Sequence, residues 1–265
     1  MKNARSISAP TTIDVHGAQT ISRAVRALQI VAAHAPEGVR LVDVARELAL
    51  QRPTAHRLLK ALTIEGLLQQ DDRSRRYTLG PLLFELGISA THQFNLKEVC
   101  QPVCDWLAEQ TGDTTFLFLR SGYDAVCISR TQGPYPIQTP SVPLGSRQPL
   151  GVSAGGLALL AALPEAEIET VIQAVAPRLG AYGDLDADEL LELVGLARLS
   201  GYAVTGNHAA PGVRAIGLPI YNAVRSPIAA LAVATTQARM TDERIHSILP
   251  KLKTAAREVT RLLRQ

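Results

Sequence analysis

The sequence has few aromatic residues and no long apolar run. Among its 265 residues are four Phe, six Tyr and one Trp, which is poor material for the stacking side chains that hold single-stranded nucleic acid. The longest apolar candidate, residues 155–163, is far shorter than the about 20 residues that a membrane-spanning helix needs. These absences argue against a single-strand-binding protein and against a helical membrane protein.

Cysteine is also scarce. Cys100, Cys104 and Cys127 form no framework spacing, which argues against disulfides. Cys100 and Cys104 stand four residues apart and would share a helix face, so a metal or redox pair is conceivable. No histidine or second cysteine pair completes such a site, which favours small core residues instead. We therefore predict no metal site and no cofactor.

The first residues, 1–19, lack the basic-then-apolar pattern of a secretory signal. They are rich in Ser, Thr, Pro and Gly, with little apolar surface to bury, which predicts a disordered tail. In the absence of a signal or a membrane helix, we expect a cytoplasmic protein. The length is sufficient for two domains that each have a core.

Positive charge is concentrated at the front of the chain. Residues 1–80 hold twelve Lys and Arg against seven Asp and Glu, a balance of +5. Residues 81–265 hold fifteen against seventeen, a balance of −2, so the net charge of +3 conceals a basic front segment. We expect affinity for a polyanion to reside in that segment and to weaken as salt rises.

Residues 41–77 have the pattern of a winged helix-turn-helix. A helix is predicted from Ser22 to about His34, and the segment 41–48 and the segment after Arg52 then space their apolar residues for one helical face each. Pro53 suits the first turn of the last of these helices, where its missing N–H costs nothing. The polar face of that helix presents donors suited to base edges in a major groove, and its predicted DNA-binding residues are Arg52, Pro53, Thr54, His56, Arg57 and Lys60.

A basic hairpin follows at the expected distance. Gly66 can end the helix in a left-handed conformation, after which residues 67–70 and 75–79 resemble strands around a turn. Three further predicted DNA-binding residues lie at its tip, where they would contact phosphates or the adjacent minor groove: Arg73, Arg75 and Arg76. The other interpretation is a helical scaffold with a solvated basic face, but the basic wing favours DNA binding.

The rest of the chain mixes helices and strands without βαβ alternation. Residues 81–95 are predicted to form an apolar linker helix that connects two domains and packs against a partner chain. Strands are predicted at 114–120, 125–129, 137–143, 202–205, 215–221 and 228–235. Helices are predicted at 99–110, 157–162, 164–174, 186–199 and 241–263, the last kinked or divided at Pro250. This order predicts an α+β fold with an antiparallel sheet flanked by helices.

Three segments resemble the IclR family of bacterial transcriptional regulators. They are residues 22–25 with the winged helix through Gly80, residues 149–161, and residues 211–220 with 229–233. The resemblance implies a winged helix-turn-helix domain at 20–80, a linker helix at 81–95 and a GAF-like effector-binding domain at 96–265. It also implies a homodimer that pairs into a tetramer on double-stranded promoter DNA. The operon would serve uptake or breakdown of a small organic acid, and repression and activation both remain open.

Mapped by motif, the resemblance also places the effector contacts. They are Ser153, Ala154, Gly155, Gly156, Thr205, Val213, Ala215, Ala232 and Ala234. The Gly155–Gly156 turn before a helix offers backbone N–H groups to a carboxylate, although a tight turn can need glycine for backbone reasons alone.

The sequence departs from the family's pattern at Leu157, His208 and Ala215, where family members often carry Lys, Glu and, in several cases, Cys. The mapped walls are mostly Ala and Val, and a small polar acid needs polar partners when buried. We therefore predict a larger, partly apolar acid, either aromatic or branched. Thr205, Asn207, His208 and Arg214 are candidates for further polar contacts, and each is also a common surface loop residue.

Two other functions compete with that of a regulator. An enzyme would need a nucleophile elbow, a metal-spaced His pair or a phosphate loop, and none is present in the sequence. The Gly155–Gly156 pair is not a dinucleotide fingerprint either, so we predict no catalytic activity. An adaptor whose winged helix binds protein is the second alternative, and the arginine-bearing wing argues against it.

Overall fold

The computed structural model describes residues 18–91, 96–139, 141–222 and 224–263. Their contacts divide them into two units, one ending at residue 91 and the other beginning at residue 96. Most of the predicted N-terminal tail lies outside the described residues. Its last two positions, Ala18 and Gln19, already belong to the first helix.

Unit 1 contains four helices and a three-stranded antiparallel sheet among its described residues. In chain order the elements are α1 (Ala18–Ala33), β1 (Val39–Arg40), α2 (Leu41–Glu47), α3 (Arg52–Ile64), β2 (Leu68–Gln70), β3 (Arg76–Leu79) and α4 (Pro81–Thr91). The strand order is β1-β3-β2. The helix predicted to begin at Ser22 already includes Ala18, four residues earlier, so its predicted start was wrong.

The apolar spacing of the helices builds the core of unit 1. Val31, Val44, Leu59, Leu62 and Tyr77 are all buried in one cluster that joins α1, α2 and α3 to the sheet. Each fully buried side chain of this size contributes about 1.5–3 kcal/mol relative to its exposed state. Because α3 buries only this stripe, its opposite side remains in solvent.

The turn between α2 and α3 is set by its backbone hydrogen bonds. The Leu50 N–H donates to the Ala45 carbonyl at 2.8 Å, and the Ala49 N–H donates to the Arg46 carbonyl at 3.1 Å. This is the Schellman pattern, whose penultimate residue must be left-handed. That residue is Ala49, with φ of 52°, at a position where glycine is usual.

Unit 2 is built on a six-stranded antiparallel sheet. Its strands are β4 (Thr114–Ser121), β5 (Asp124–Thr131), β6 (Arg147–Pro149), β7 (Ala203–Gly206), β8 (Val213–Tyr221) and β9 (Pro227–Thr236), in the order β6-β5-β4-β9-β8-β7. Its helices are α5 (Leu96–Thr111), α6 (Ala154–Ala161), α7 (Glu165–Leu179), α8 (Ala187–Ser200) and α9 (Asp242–Leu262).

Both faces of this sheet are covered. Phe116 and Phe118 pack with α6, α7 and α8 on one face, whereas Leu117 and Val233 pack with α5 and α9 on the other. Because strand side chains alternate between faces, β4 and β9 are buried on both sides. The predicted antiparallel sheet flanked by helices is confirmed.

Unit 2 differs from the sequence predictions in three places. The described residues of 137–143 form no strand, because Gln138 instead bonds the carbonyls of Gly112 and Gly133, both at 3.0 Å. The edge strand beside β5 is β6, which was not predicted. Of the two outcomes predicted at Pro250, division is excluded, because α9 runs unbroken from Asp242 to Leu262.

Asp113 joins α5, the sheet and α9. Its side chain is fully buried and accepts from Arg239 Nε at 2.7 Å and from Arg244 Nη2 at 2.9 Å. The Arg239 guanidinium also lies 3.6 Å from the centre of the Tyr135 ring. Two cations and a cation–π contact therefore fix the start of β4 against the segment that leads into α9.

Candidate functional site

The solvent side of α3 carries a row of polar and cationic side chains. Arg52, Pro53, His56, Arg57 and Lys60 are exposed. Thr54, the remaining predicted residue of this helix, is half-buried. Within the described part of the chain, no side-chain hydrogen bond or ion pair engages Arg52, Arg57 or Lys60. Their donors are therefore free for an external acceptor.

The hairpin tip is rigid, and it exposes two of its three arginines. Asp71 organises the turn, because its carboxylate accepts from the Ser74 N–H at 2.7 Å and its carbonyl accepts from the Arg75 N–H at 2.9 Å. The bond from Ser74 also lowers the pKa of Asp71. Arg73 and Arg75 are exposed on this turn, and Arg75 takes a left-handed φ of 57°.

The placement of Arg76 differs from the expectation that three free guanidiniums share the tip. Arg76 lies in β3, is half-buried, and donates from Nη1 to the Gly38 carbonyl at 2.6 Å. Gly38 stands opposite because the pairing of Val39 with Tyr77 brings it there. Arg76 thus joins the wing to the turn before β1, and only Arg73 and Arg75 extend freely from the tip.

Glycines at the base of the wing fix the start of α4. The Gly80 N–H donates to the Leu67 carbonyl at 2.9 Å, and the Leu82 N–H donates to the Gly66 carbonyl at 3.2 Å. A Cβ added at Gly80 would stand 2.1 Å from the Gly66 carbonyl oxygen, which no side chain tolerates. The wing and the first turn of α4 therefore form one rigid corner.

In unit 2, a small cavity lies between the sheet and the start of α6. It has a volume of about 20 Å³, and its walls come from β4, β7, β8, β9 and the α6 N-terminus. Seven predicted effector residues line it: Ser153, Ala154, Thr205, Val213, Ala215, Ala232 and Ala234. Asn207, a candidate for a further polar contact, lines it as well. Six further lining residues were not among those predicted: Phe116, Phe118, Ser141, Val142, Ala209 and Ala210.

The register of the sheet explains why these residues meet. Phe116 pairs with Ala232, and Ala234 pairs with Ala215, which in turn pairs with Thr205. Directly opposed residues project on the same face of an antiparallel sheet. The phenylalanine rings lie stacked at 5.9 Å, with an interplanar angle of 20°. Their period-two spacing in the sequence shows that Phe116 and Phe118 share one face of β4, but not which face that is.

Gly155 and Gly156 do not line this cavity, contrary to expectation. The Gly156 N–H already donates to Ser153 Oγ at 3.2 Å, which makes Ser153 the N-cap of α6. A Cβ at Gly155 would lie 2.3 Å from Cδ2 of Phe118, so packing requires glycine there. The glycine pair brings α6 close to the sheet, while Ser153 and Ala154 are the residues that face the cavity.

The cavity has polar groups but no charged side chain among its lining residues. Ser153 and Thr205 are buried, and Asn207 is held with φ of 64° while its Oδ1 accepts from the Gly212 N–H at 2.8 Å. Arg214 points elsewhere and donates to the Met240 carbonyl at 2.7 Å. An anion here would depend on hydroxyl and amide donors and on the positive end of α6.

The cysteines belong to the cores rather than to a reactive site. Cys100 and Cys104 lie in the cluster beneath α5 and α9, and Cys127 lies in the cluster beneath α6. Burial raises the pKa of Cys100 and Cys104 to about 12 and that of Cys127 to about 11. Thiols in this state are protonated at neutral pH and react slowly.

A winged helix-turn-helix in one unit and a cavity-bearing sheet in the other define a ligand-responsive transcriptional regulator. Comparison with known families agrees. Residues 20–72 match the IclR helix-turn-helix domain, and residues 88–261 match the bacterial transcriptional regulator IclR C-terminal domain. The chain belongs to the IclR family. No helix among the described residues is long and apolar enough to cross a membrane.

Several relatives match over nearly the whole chain. The repressor AllR of Escherichia coli K12 is 29% identical, over 93% of this chain and 91% of its own. The regulator XynR of the same organism is 27% identical, over 92% and 97%. These relatives are transcriptional regulators rather than enzymes.

Solved structures agree with the fold. An IclR regulator from Alicyclobacillus acidocaldarius has a TM-score of 0.75 at 26% identity, over 92% of this chain and 98% of its own. An IclR homologue from Microbacterium hydrocarbonoxydans, solved with 4-hydroxybenzoate, has a TM-score of 0.70 at 22% identity, over 92% and 98%.

Proposed function

We propose that this regulator binds an operator through α3 and the wing. We further propose that an apolar organic acid, bound in the unit 2 cavity, controls the affinity for the operator. The observation that carries the DNA half is the row of exposed, unpaired donors on α3 together with Arg73 and Arg75 on the wing. Guanidinium groups on a reading helix suit guanine edges, and the wing arginines suit phosphates. Because the target is promoter DNA, we place the protein in the cytoplasm.

A dimer is the expected form on DNA. The α4 helix exposes Phe84 at 72% and Leu86 at 52%, which is unusual for a helix that stays in solvent. We propose that this face pairs with its copy in a second chain, so that two reading helices meet two half-sites about one helical turn apart. The binding-domain boundaries that we propose are residues 20–80 and 96–265, joined by the linker at 81–95.

The effector proposal depends on the composition of the cavity wall. The alanines and valines, with the rings of Phe116 and Phe118, suit an aromatic or branched hydrocarbon group. Ser153 and Thr205 would receive the carboxylate at the start of α6, where the helix dipole favours an anion. We propose that the regulated operon serves uptake or breakdown of that acid.

The DNA half is tested by selecting bound fragments from the organism's genome with the full chain, then measuring affinity by fluorescence anisotropy at several salt concentrations. Binding should fall steeply with salt. Arg52→Ala and Arg57→Ala combined in one chain should abolish operator selection, whereas Arg225→Ala, which changes an exposed arginine of unit 2, should leave it intact. A protein indifferent to every duplex at low salt would favour the adaptor alternative.

The effector half is tested by calorimetry with benzoate, 4-hydroxybenzoate, a branched aliphatic acid and glyoxylate. We expect the larger acids to bind at least tenfold more tightly than glyoxylate. Ala215→Leu should fill the cavity and abolish binding, whereas Ala187→Leu, at a half-buried helix position outside the cavity, should not. Preference for glyoxylate would overturn the proposal.

A further inference from the structure

A second hollow on unit 2 lies between the end of β8 and α9, where β7 is too short to follow its neighbour. β7 pairs with β8 only as far as Ala203, which stands opposite Gly217. Within the described part of the chain, residues 218–221 of β8 therefore have no strand on that side. The groove left there has a volume of about 660 Å³, within the range of roughly 300–1,000 Å³ that is typical of small-molecule sites.

The floor of this groove is apolar. Leu218 and Ala256 line it, and both belong to the buried cluster that joins the sheet to α9. Pro219 and Tyr221 lie beside them and are half-buried. A hydrocarbon group placed on this floor would leave water, and the gain in free energy would grow with the apolar area that it covers.

One edge of the groove is cationic. Lys253, Arg257 and Arg261 line it at intervals of four residues along α9. Arg261 is neutralised by Glu258, with contacts of 2.7 and 2.9 Å to the two carboxylate oxygens. Lys253 and Arg257 are exposed and have no ion-pair partner among the described residues. Two positive charges without a counter-charge therefore border an apolar floor.

The spacing of these two cations suits one carboxylate. Side chains four residues apart on a helix are neighbours, with about 5–6 Å between their Cβ atoms. The planar fork of Arg257 can donate to both oxygens of a carboxylate, and the ammonium of Lys253 adds a second positive charge. Lys253 and Arg261 lie eight residues apart, which is about 12 Å of helix, so the groove is longer than a single aromatic ring.

We propose that the groove binds an amphipathic carboxylate whose hydrocarbon part has about the size of two fused rings. Lys253 and Arg257 hold the carboxylate, and Leu218, Pro219 and Tyr221 support the hydrocarbon. An uncharged hydrocarbon would gain nothing from the cations, and a small polar acid would leave the floor in water. The two halves of the groove therefore select a ligand that carries both properties.

This site is separate from the effector cavity. Among the described residues, none that lines the groove also lines the cavity. The groove lies against α9, whereas the cavity lies on the α6 side of the sheet. Both touch β8, through Leu218 at the groove and Ala215 at the cavity. The groove proposal does not depend on the proposed effector.

The test is calorimetry with 2-naphthoate on the full chain carrying Ala215→Leu, which fills the cavity so that the heat reports the groove. Lys253→Gln combined with Arg257→Gln should weaken binding at least tenfold. Lys97→Gln, which removes an exposed cation of α5 outside the groove, should leave it unchanged. The uncharged 2-naphthalenemethanol and the small acid acetate should each bind at least tenfold more weakly than 2-naphthoate.

The number of sites in the chain without Ala215→Leu separates this proposal from the proposed effector site. There 2-naphthoate should bind at two sites per chain if it also enters the cavity and at one if it does not. In either case, Lys253→Gln combined with Arg257→Gln should remove one site, and thermal unfolding checks that the fold is retained. The proposal is overturned if 2-naphthoate does not bind, as expected where protein covers the groove, or if the double variant behaves like Lys97→Gln.

Discussion

Gly217 of β8 lies against the peptide that joins Ala154 to Gly155. A Cβ at position 217 would stand 2.4 Å from the Ala154 carbonyl oxygen and 3.0 Å from the Gly155 nitrogen. Only glycine permits this approach, and the approach brings the first turn of α6 onto the sheet. Ser153 and Ala154 reach the cavity as a result.

The first prediction follows from that contact. Gly217→Ala should force α6 away from β8 and lower the free energy of unfolding of unit 2 by about 1–3 kcal/mol, the usual cost of overpacking. Gly195→Ala is the matched control, because a Cβ there meets nothing within 4 Å. In the middle of α8 it should raise stability by about 0.5–1 kcal/mol. Urea unfolding measures the free energy of unfolding of both variants. Equal changes in Gly217→Ala and Gly195→Ala would contradict the prediction.

A second prediction separates two arginines that the sequence alone treats alike. Arg57→Ala should leave thermal stability unchanged and weaken operator binding by about 1–3 kcal/mol, the value of a base contact. Arg76→Ala should lower the melting temperature, because it removes the donor to the Gly38 carbonyl. Fluorescence anisotropy measures the operator affinity of both variants, and thermal unfolding measures their melting temperatures. A melting temperature for Arg76→Ala equal to that of the wild type would count against a role in holding the wing.

A third prediction concerns the turn that joins α2 to α3. Ala49 holds φ of 52°, and this conformation costs an L-residue about 1–2 kcal/mol. Ala49→Gly removes that strain but adds chain entropy to the unfolded state, so the net gain in unfolding free energy should be about 0.5–1 kcal/mol. Ala61→Gly, at an exposed position inside α3, should instead destabilise by about 1 kcal/mol. Calorimetric melting of the two variants compares them directly.

A fourth prediction concerns pH. Burial holds the pKa of Cys100 and Cys104 at about 12 and that of Cys127 at about 11, whereas a thiol in an unfolded chain titrates at about 8.5. Above that pH the unfolded chain releases protons that the folded chain keeps. The free energy of unfolding should therefore fall as pH rises from about 9 towards 11. Each of the thiols contributes a decrease of up to about 1.4 kcal/mol for each pH unit.

Urea unfolding at several alkaline pH values measures that slope, and Cys100→Ala is the informative variant. The substitution should reduce the slope by about one thiol's share. The same burial should make all three native thiols slow to react with a thiol reagent at pH 8. Rapid labelling of the folded protein would show that the thiols are more accessible than the structure indicates.

Much of the fold was predictable because burial follows periodicity. The apolar residues of α2 and α3 recur at helical spacing and are the ones that enter the core of unit 1. The strands of unit 2 with continuous apolar character, β4 and β9, were located within a residue or two. Boundaries were less certain, since α1 already includes Ala18 and Gln19, which the sequence had assigned to the tail.

The errors fall where side chains replace backbone pairing. Residues 137–143 have strand-like composition, yet the carbonyls of Gly112 and Gly133 are bonded by the Gln138 side chain rather than by a neighbouring strand. Arg76 likewise looks like part of the tip in the sequence. Only the register of β1 against β3 shows that the Gly38 carbonyl is within its reach.

The cavity could be predicted in part. Motif mapping located the residues of β8 and β9 that form the wall, but two of the residues it mapped, Gly155 and Gly156, do not line the cavity. Phe116 and Phe118 were missed because β4 is apolar on both faces, so composition alone does not show which side a residue occupies. Sheet register supplies that information.

The volume of the cavity has a consequence for how quickly a signal is sensed. A space of about 20 Å³ has room for roughly one water molecule and none for an aromatic ring. The acid proposed to bind here would therefore enter only when the walls part, and the population of parted molecules would set its apparent affinity. At high ligand concentration the observed rate constant of binding should reach a plateau at the rate constant of cavity opening. The opening motion of the protein, rather than diffusion of the ligand, would then limit how fast the regulator binds its ligand.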